Sequence, residues 1–159
     1  MLDKVYISYF YQIRFFTPEY IPLSTAIYDP KWFHNNRGQD NIFSDKNDVI
    51  NGLRIESLHP YKDNDYCVHC NRTGNPDTCG FMKNYREQLA DIDFEDFIEK
   101  LEEFLININQ KILKMDKDLI PVFIVHEAPD NKCSERVPLI EWFNSNDVEC
   151  IEWSKDLVI

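Results

Sequence analysis

The densest set of reactive side chains in this 159-residue sequence is the segment His126-Glu127-Ala128-Pro129-Asp130-Asn131-Lys132-Cys133-Ser134-Glu135-Arg136. It brings an imidazole, a thiol, a hydroxyl, carboxylates and a guanidinium into one short stretch. A cysteine beside a helix N-terminus gains thiolate character from the free backbone N–H groups there, which suits Cys133 to nucleophilic work. A partly buried Glu127 suits general acid or base chemistry. Arg136 can grip a phosphate or carboxylate bidentately. Each has a structural alternative: Ser134 as a helix cap, Glu127 and Arg136 as an ion pair, Cys133 as a packed thiol.

These residues need a strand before them and a helix after them. Leu119 to Val125 is nearly all apolar and reads as a central strand buried on both faces, with Pro121 near its start. A helix begins within Ser134 to Val137, because Pro138 is tolerated only in a first turn. Residues 148–153 alternate like a strand and bury Cys150. Strand, helix and strand in this order imply parallel pairing through a right-handed crossover. The expected fold is a single-domain three-layer α/β fold over residues 1–159, with a mostly parallel sheet in Rossmann-like or flavodoxin-like order. Ligands in such sheets bind beyond the C-terminal strand ends, where His126 and Glu127 fall. Further walls of that pocket are expected from Ser8, Tyr9, Tyr28 and Lys31 at neighbouring strand ends, from Tyr85 and Arg86 on a helix, and from Ser134. Aromatic packing and surface solvation are their plain alternatives.

Other elements follow from periodicity. Lys4 to Phe10 and Ile21 to Ile27 read as strands, and Gly52 to Leu58 as a short one. Residues 34–51 read as a long polar loop and 59–79 as a structured one. Phe81 to Leu89 is a helix. Phe94, Phe97, Ile98, Leu101, Phe104, Leu105 and Ile108 fall at offsets 0, 3, 4, 7, 10, 11 and 14, one apolar stripe of a second helix capped by Asp93. The acidic run Asp91 to Glu103 is the solvated face of that helix, or else an acidic docking surface used with loop 34–51 by a non-catalytic protein-interaction module.

Cys67-Val68-His69-Cys70 and Cys79, with His59 or His69 as a fourth ligand, outline a structural zinc site. Reduced structural thiols and a disulfide are the other readings. The five cysteines form an odd set without an export-like leader, which argues against a disulfide framework. Seventeen basic against 28 acidic residues leave a net charge of −11, which disfavours broad contact with nucleic acid or anionic membranes. A small anionic or nucleotide-like ligand remains open through a local basic pocket, as does a protein partner. No apolar run reaches membrane-spanning length, so a soluble, cytoplasmic protein is expected.

The segment from Val122 to Arg136, followed by Glu141-Trp142-Phe143, resembles the C-terminal signature of the domain-of-unknown-function family numbered 488, in its Cys-Ser-Glu-Arg subgroup. Ile7-Ser8-Tyr9-Phe10 with Arg14, Ile21-Pro22-Leu23-Ser24 with Pro30-Lys31-Trp32, and Phe81 to Leu89 resemble its earlier parts in order. Ser134-Glu135 stands where the commoner pattern has a single His, and His126 where it has an aromatic. The resemblance implies an α/β fold and a pocket, and no particular reaction.

Overall fold

The computed structural model describes residues 2–33, 42–61, 79–130 and 134–158. Four strands, β1 (Lys4–Tyr9), β2 (Tyr20–Ser24), β5 (Ile120–Val125) and β6 (Glu149–Glu152), form one sheet in the order β2-β5-β1-β6. All three pairings are parallel, with Tyr6 opposite Val122, Val5 opposite Cys150 and Leu23 opposite Phe123. A short antiparallel pair, β3 (Phe43–Ser44) and β4 (Ile50–Asn51), stands apart.

The α/β class and the parallel sheet are as expected, but the strand order is not. Counted along the chain, the four long strands lie 2-3-1-4, whereas the Rossmann-like and flavodoxin-like orders place the second strand beside the first. β5 is buried on both faces from Pro121 to Val125 and takes an inner position between β2 and β1. β6 also pairs with β1 and not with β5, so the crossover through the last helix skips one strand. Pro22 lies on β2, outside β5. Ser24, two residues on, turns its N–H away from β5 toward the Leu53 carbonyl at 3.0 Å, so the missing donor of Pro22 falls on that outer side. Pro121 precedes the β1–β5 ladder, which starts at Val122.

The three described α-helices, α1 (Gly80–Ala90), α2 (Phe94–Ile108) and α3 (Arg136–Ser145), cover the same sheet face. Tyr85 and Leu89 of α1, Ile98, Leu101 and Leu105 of α2, and Leu139 and Phe143 of α3 pack with Val5, Ile7, Leu23, Phe123 and Val125. On the other face the described residues form an aromatic layer without an α-helix. There Tyr6, Val122 and Ile124 meet Phe10 and Ile13 of a 3-10 segment (Phe10–Phe15), together with Phe16, Phe33 and Trp153. The described part of this third layer is coil and 3-10 turns.

Smaller departures have local causes. The Ile21–Ile27 strand stops at Ser24, where Thr25 turns its Oγ1 to the Ile124 carbonyl at 3.1 Å. Within the expected loop 34–51, residues 42–51 form the β3–β4 hairpin, closed by Asp45 accepting from the N–H groups of Asn47 and Val49 at 2.8 and 3.1 Å. Of the Gly52–Leu58 strand, only a parallel bridge of Arg54 to Ser24 forms, and Glu56–Leu58 is 3-10.

Candidate functional site

β5 carries its alternation past its end. Phe123 and Val125 face the helices, so Glu127 also lies on the helical side, while His126 turns to the aromatic face and packs on Phe10, ring centroids 5.0 Å apart. α3 begins nearby. The Ser134 hydroxyl donates to Glu127 Oε2 at 3.1 Å and accepts from the Arg136 N–H at 3.2 Å. Ser134 thus satisfies a free donor of the helix start and ties it to the strand end.

Arg136 is buried, 4 % exposed. Its Nε and Nη2 donate to the two oxygens of Glu152 at 2.7 and 3.4 Å, and Nη1 donates to the Glu127 carbonyl at 2.6 Å. The Tyr9 ring lies 5.8 Å from the guanidinium carbon. Arg136 therefore pairs with Glu152 and meets Glu127 only through the backbone, not as the expected Glu127–Arg136 ion pair. Its forked edge is already filled by a carboxylate, so an anion gripped there must displace Glu152.

Glu135 is the other buried charge. Burial, then the facing Glu127 carboxylate, pushes its carboxyl up to about 8, against the opposing pull of Arg136. Burial also raises Glu152, and the Arg136 guanidinium counteracts it. Tyr85 is raised well above its ordinary value by burial and then by Glu135. The cluster thus has a partly exposed rim of Tyr9, Glu127 and Glu152 over a buried floor of Ser134, Glu135 and Arg136. Burial and Glu127 both favour the protonated form of Glu135, and two carboxyls so placed can hand over or accept a proton.

The remaining expected residues scatter. Ser8 is buried on the aromatic side with no partner for its Oγ. Tyr28 is exposed and offers only its carbonyl, to His126 Nε2. Lys31 is exposed. Arg86 lies in a surface ion pair with Glu141 at 3.0 Å, linking α1 to α3. Tyr85 is fully buried and donates to the Leu58 carbonyl. Sequence reasoning did not select Glu135 or Glu152 for the site. Glu152 was findable, because it shares strand parity with the apolar Cys150 and so must face the helices.

Cys133, Cys67, Cys70 and His69 lie outside the described residues. Cys79 is buried. His59 is engaged elsewhere: Arg54 Nη2 donates to its Nδ1 at 2.9 Å, and its Nε2 lies 3.3 Å from the Ser24 carbonyl. Burial, then Arg54, lowers its pKa, and Arg54 also pairs with the buried Asp29 at 3.1 Å. Both ring nitrogens are thus occupied, which does not suit the role of a zinc ligand. Among the described residues no group of three or more His, Cys, Asp or Glu side chains is placed to hold a metal ion. No described helix is long and apolar enough to cross a membrane. On α2, Glu95, Asp96, Glu99 and Glu103 are exposed opposite the buried stripe.

No family model matches the chain, and no curated protein or solved structure is significantly similar to it.

Proposed function

We propose that this chain is an enzyme-like pocket protein that takes a small ligand beyond the C-terminal edge of its sheet, with Glu127 and Glu135 as its proton-transferring pair. The observation that carries this reading is the packing at the end of β5, where the Ser134 hydroxyl holds Glu127 and the next residue, Glu135, is buried; burial and then Glu127 push the Glu135 carboxyl up. A carboxyl that keeps its proton at neutral pH beside a second carboxylate is the pattern of paired acid and base roles. Arg136, held by Glu152, acts as a positioning group that fixes the start of α3 against the end of β5. The role of Cys133 as the thiol nucleophile rests on its place in the sequence, as does the implied kinship with the family numbered 488. The described floor and rim hold three carboxyl groups, Glu135 with its protonated form favoured, against one guanidinium. That balance favours a ligand that exchanges a proton over one that brings further negative charge.

Carboxyl-selective carbon NMR over pH 3–10 tests the pairing. Glu135 should titrate well above the ordinary value of roughly 4.3 and move down in Glu127→Gln. Titration of Glu135 at an ordinary carboxyl value ends the acid–base reading. Alkylation of Cys133 as a function of pH tests the nucleophile separately, and an ordinary thiol profile removes that role.

A further inference from the structure

A second candidate site lies across the sheet, on the aromatic face, and does not depend on the roles of Glu127 and Glu135. A cavity of about 470 Å³ is lined by Phe10, Arg14 and Trp32 and by Asp45, Lys46 and Asn51 of the β3–β4 hairpin. Its size falls within the roughly 300–1,000 Å³ typical of small-molecule sites.

Three features of its wall converge on one ligand chemistry. The first is an aromatic platform. Trp32 is 51 % exposed, an unusual state for an indole, and it is braced edge-to-face by Phe10 and Phe33 at 6.1 Å each. The second is an unsatisfied acceptor. Asn51 is only 1 % exposed, and its Nδ2 donates to Asp45 Oδ2 and to the Val49 carbonyl, both at 3.1 Å. Because both partners are acceptors, the amide orientation is settled, and Oδ1 is a buried acceptor with no donor among the described residues. The third is positive charge on an acidic protein. Arg14 stacks on Tyr11, 3.9 Å from ring centroid to guanidinium carbon, and donates through Nε to the Tyr11 carbonyl at 2.9 Å. Among the described residues neither Arg14 nor Lys46 has a carboxylate within ion-pair distance. The one carboxylate of the wall, Asp45, is already spent on the N–H groups of Asn47 and Val49 and on Asn51.

We infer that this cavity binds a free mononucleotide. Its heteroaromatic ring stacks on Trp32, a ring N–H reaches Asn51 Oδ1 after a small shift of the amide, and the phosphate lies between Arg14 and Lys46. The overall negative charge disfavours long polyanions while leaving this local pair of cations for a single phosphate.

Titration calorimetry of the full chain with the four common nucleoside monophosphates and their parent nucleosides tests the inference. Trp32 quenching gives a second readout, since Trp142 and Trp153 are buried. The expected result is saturable binding of at least one monophosphate, weakened about tenfold or more in Trp32→Ala. In Arg14→Ala/Lys46→Ala the preference for monophosphate over nucleoside should disappear. All three replaced side chains are exposed, so the variants should fold, and unchanged far-UV circular dichroism verifies this. Asn51→Leu is the weaker probe, because it also removes hairpin bonds. Absence of binding at millimolar nucleotide overturns the inference, as does binding indifferent to Trp32. Tighter, steeply salt-dependent binding of a short single-stranded oligonucleotide overturns the assignment to a free nucleotide. Failure here leaves the titration of Glu135 untouched, and the reverse also holds.

Discussion

Glu135 decides how the cluster at the strand ends responds to pH. Its folded pKa of about 8 lies above the unfolded value near 4.5. Between those values the folded state binds a proton that the unfolded state has released, so stability falls as pH rises. The Glu135 contribution is complete below about pH 4.5 and gone above about pH 8. Glu135→Gln mimics the protonated carboxyl and should flatten this part of the stability profile, raising stability at pH 8 more than at pH 5. Urea unfolding at both pH values measures it, and equal shifts at the two would contradict the buried-proton account. Arg136 shows a different lesson at the same scale. The residue expected to hold an anionic ligand is held by Glu152 instead, because a buried guanidinium without a counter-charge would be too costly.

The helices are governed by their ends and stripes. α2 starts where Asp93 accepts from the Asp96 N–H at 3.2 Å, with Glu95 and Asp96 adding charge that favours the N-terminal dipole. Asp93→Ala should cost about 1 kcal/mol, lowering the melting temperature by roughly 2–4 °C in a domain of this size. Differential scanning calorimetry checks this, and a melting temperature at or above wild type would remove the cap from the account. α3 ends differently. Val148 N–H reaches back to the Phe143 carbonyl at 3.0 Å, while Asp147 adopts φ 64°, the left-handed closure usually given to glycine. That reversal sends the chain straight into β6. The stripe Phe94 to Ile108 was legible because it repeats over four turns. The hairpin around Asp45 was not, because two-residue strands carry no period and its closure depends on one aspartate side chain.

At the scale of the whole molecule, two cores share one sheet. On the helical side Phe143 is fully buried, its ring 5.0 Å from Phe123, 5.2 Å from Trp142 and 5.8 Å from Phe94. It joins α3 to α2 and both to β5. Phe143→Ala should therefore cost about 3–5 kcal/mol. Tyr11→Ala, at a half-exposed ring, should stay within roughly 0.5 kcal/mol. Chemical denaturation separates the two, and similar midpoints would contradict the division between core and surface. On the aromatic side Trp153 sits 4.4 Å from Phe16 and 5.8 Å from Tyr20, sealing the sheet where no described α-helix lies.

Local pattern alone determined the parallel α/β class, the extents of α1 and α2, the start of α3, the buried strand before His126 and the nearness of Glu127, Ser134 and Arg136 at its end. All of these depend on near neighbours in the chain or on periods of two and 3.6 residues. Tertiary structure alone decided the order β2-β5-β1-β6, the placement of all three α-helices on one face, the pairing of Arg136 with Glu152 and the orphaned Oδ1 of Asn51. Each of these depends on segments distant in sequence sharing a buried space. Desolvation there forces every charge to find a partner, and no local pattern records which one it will be.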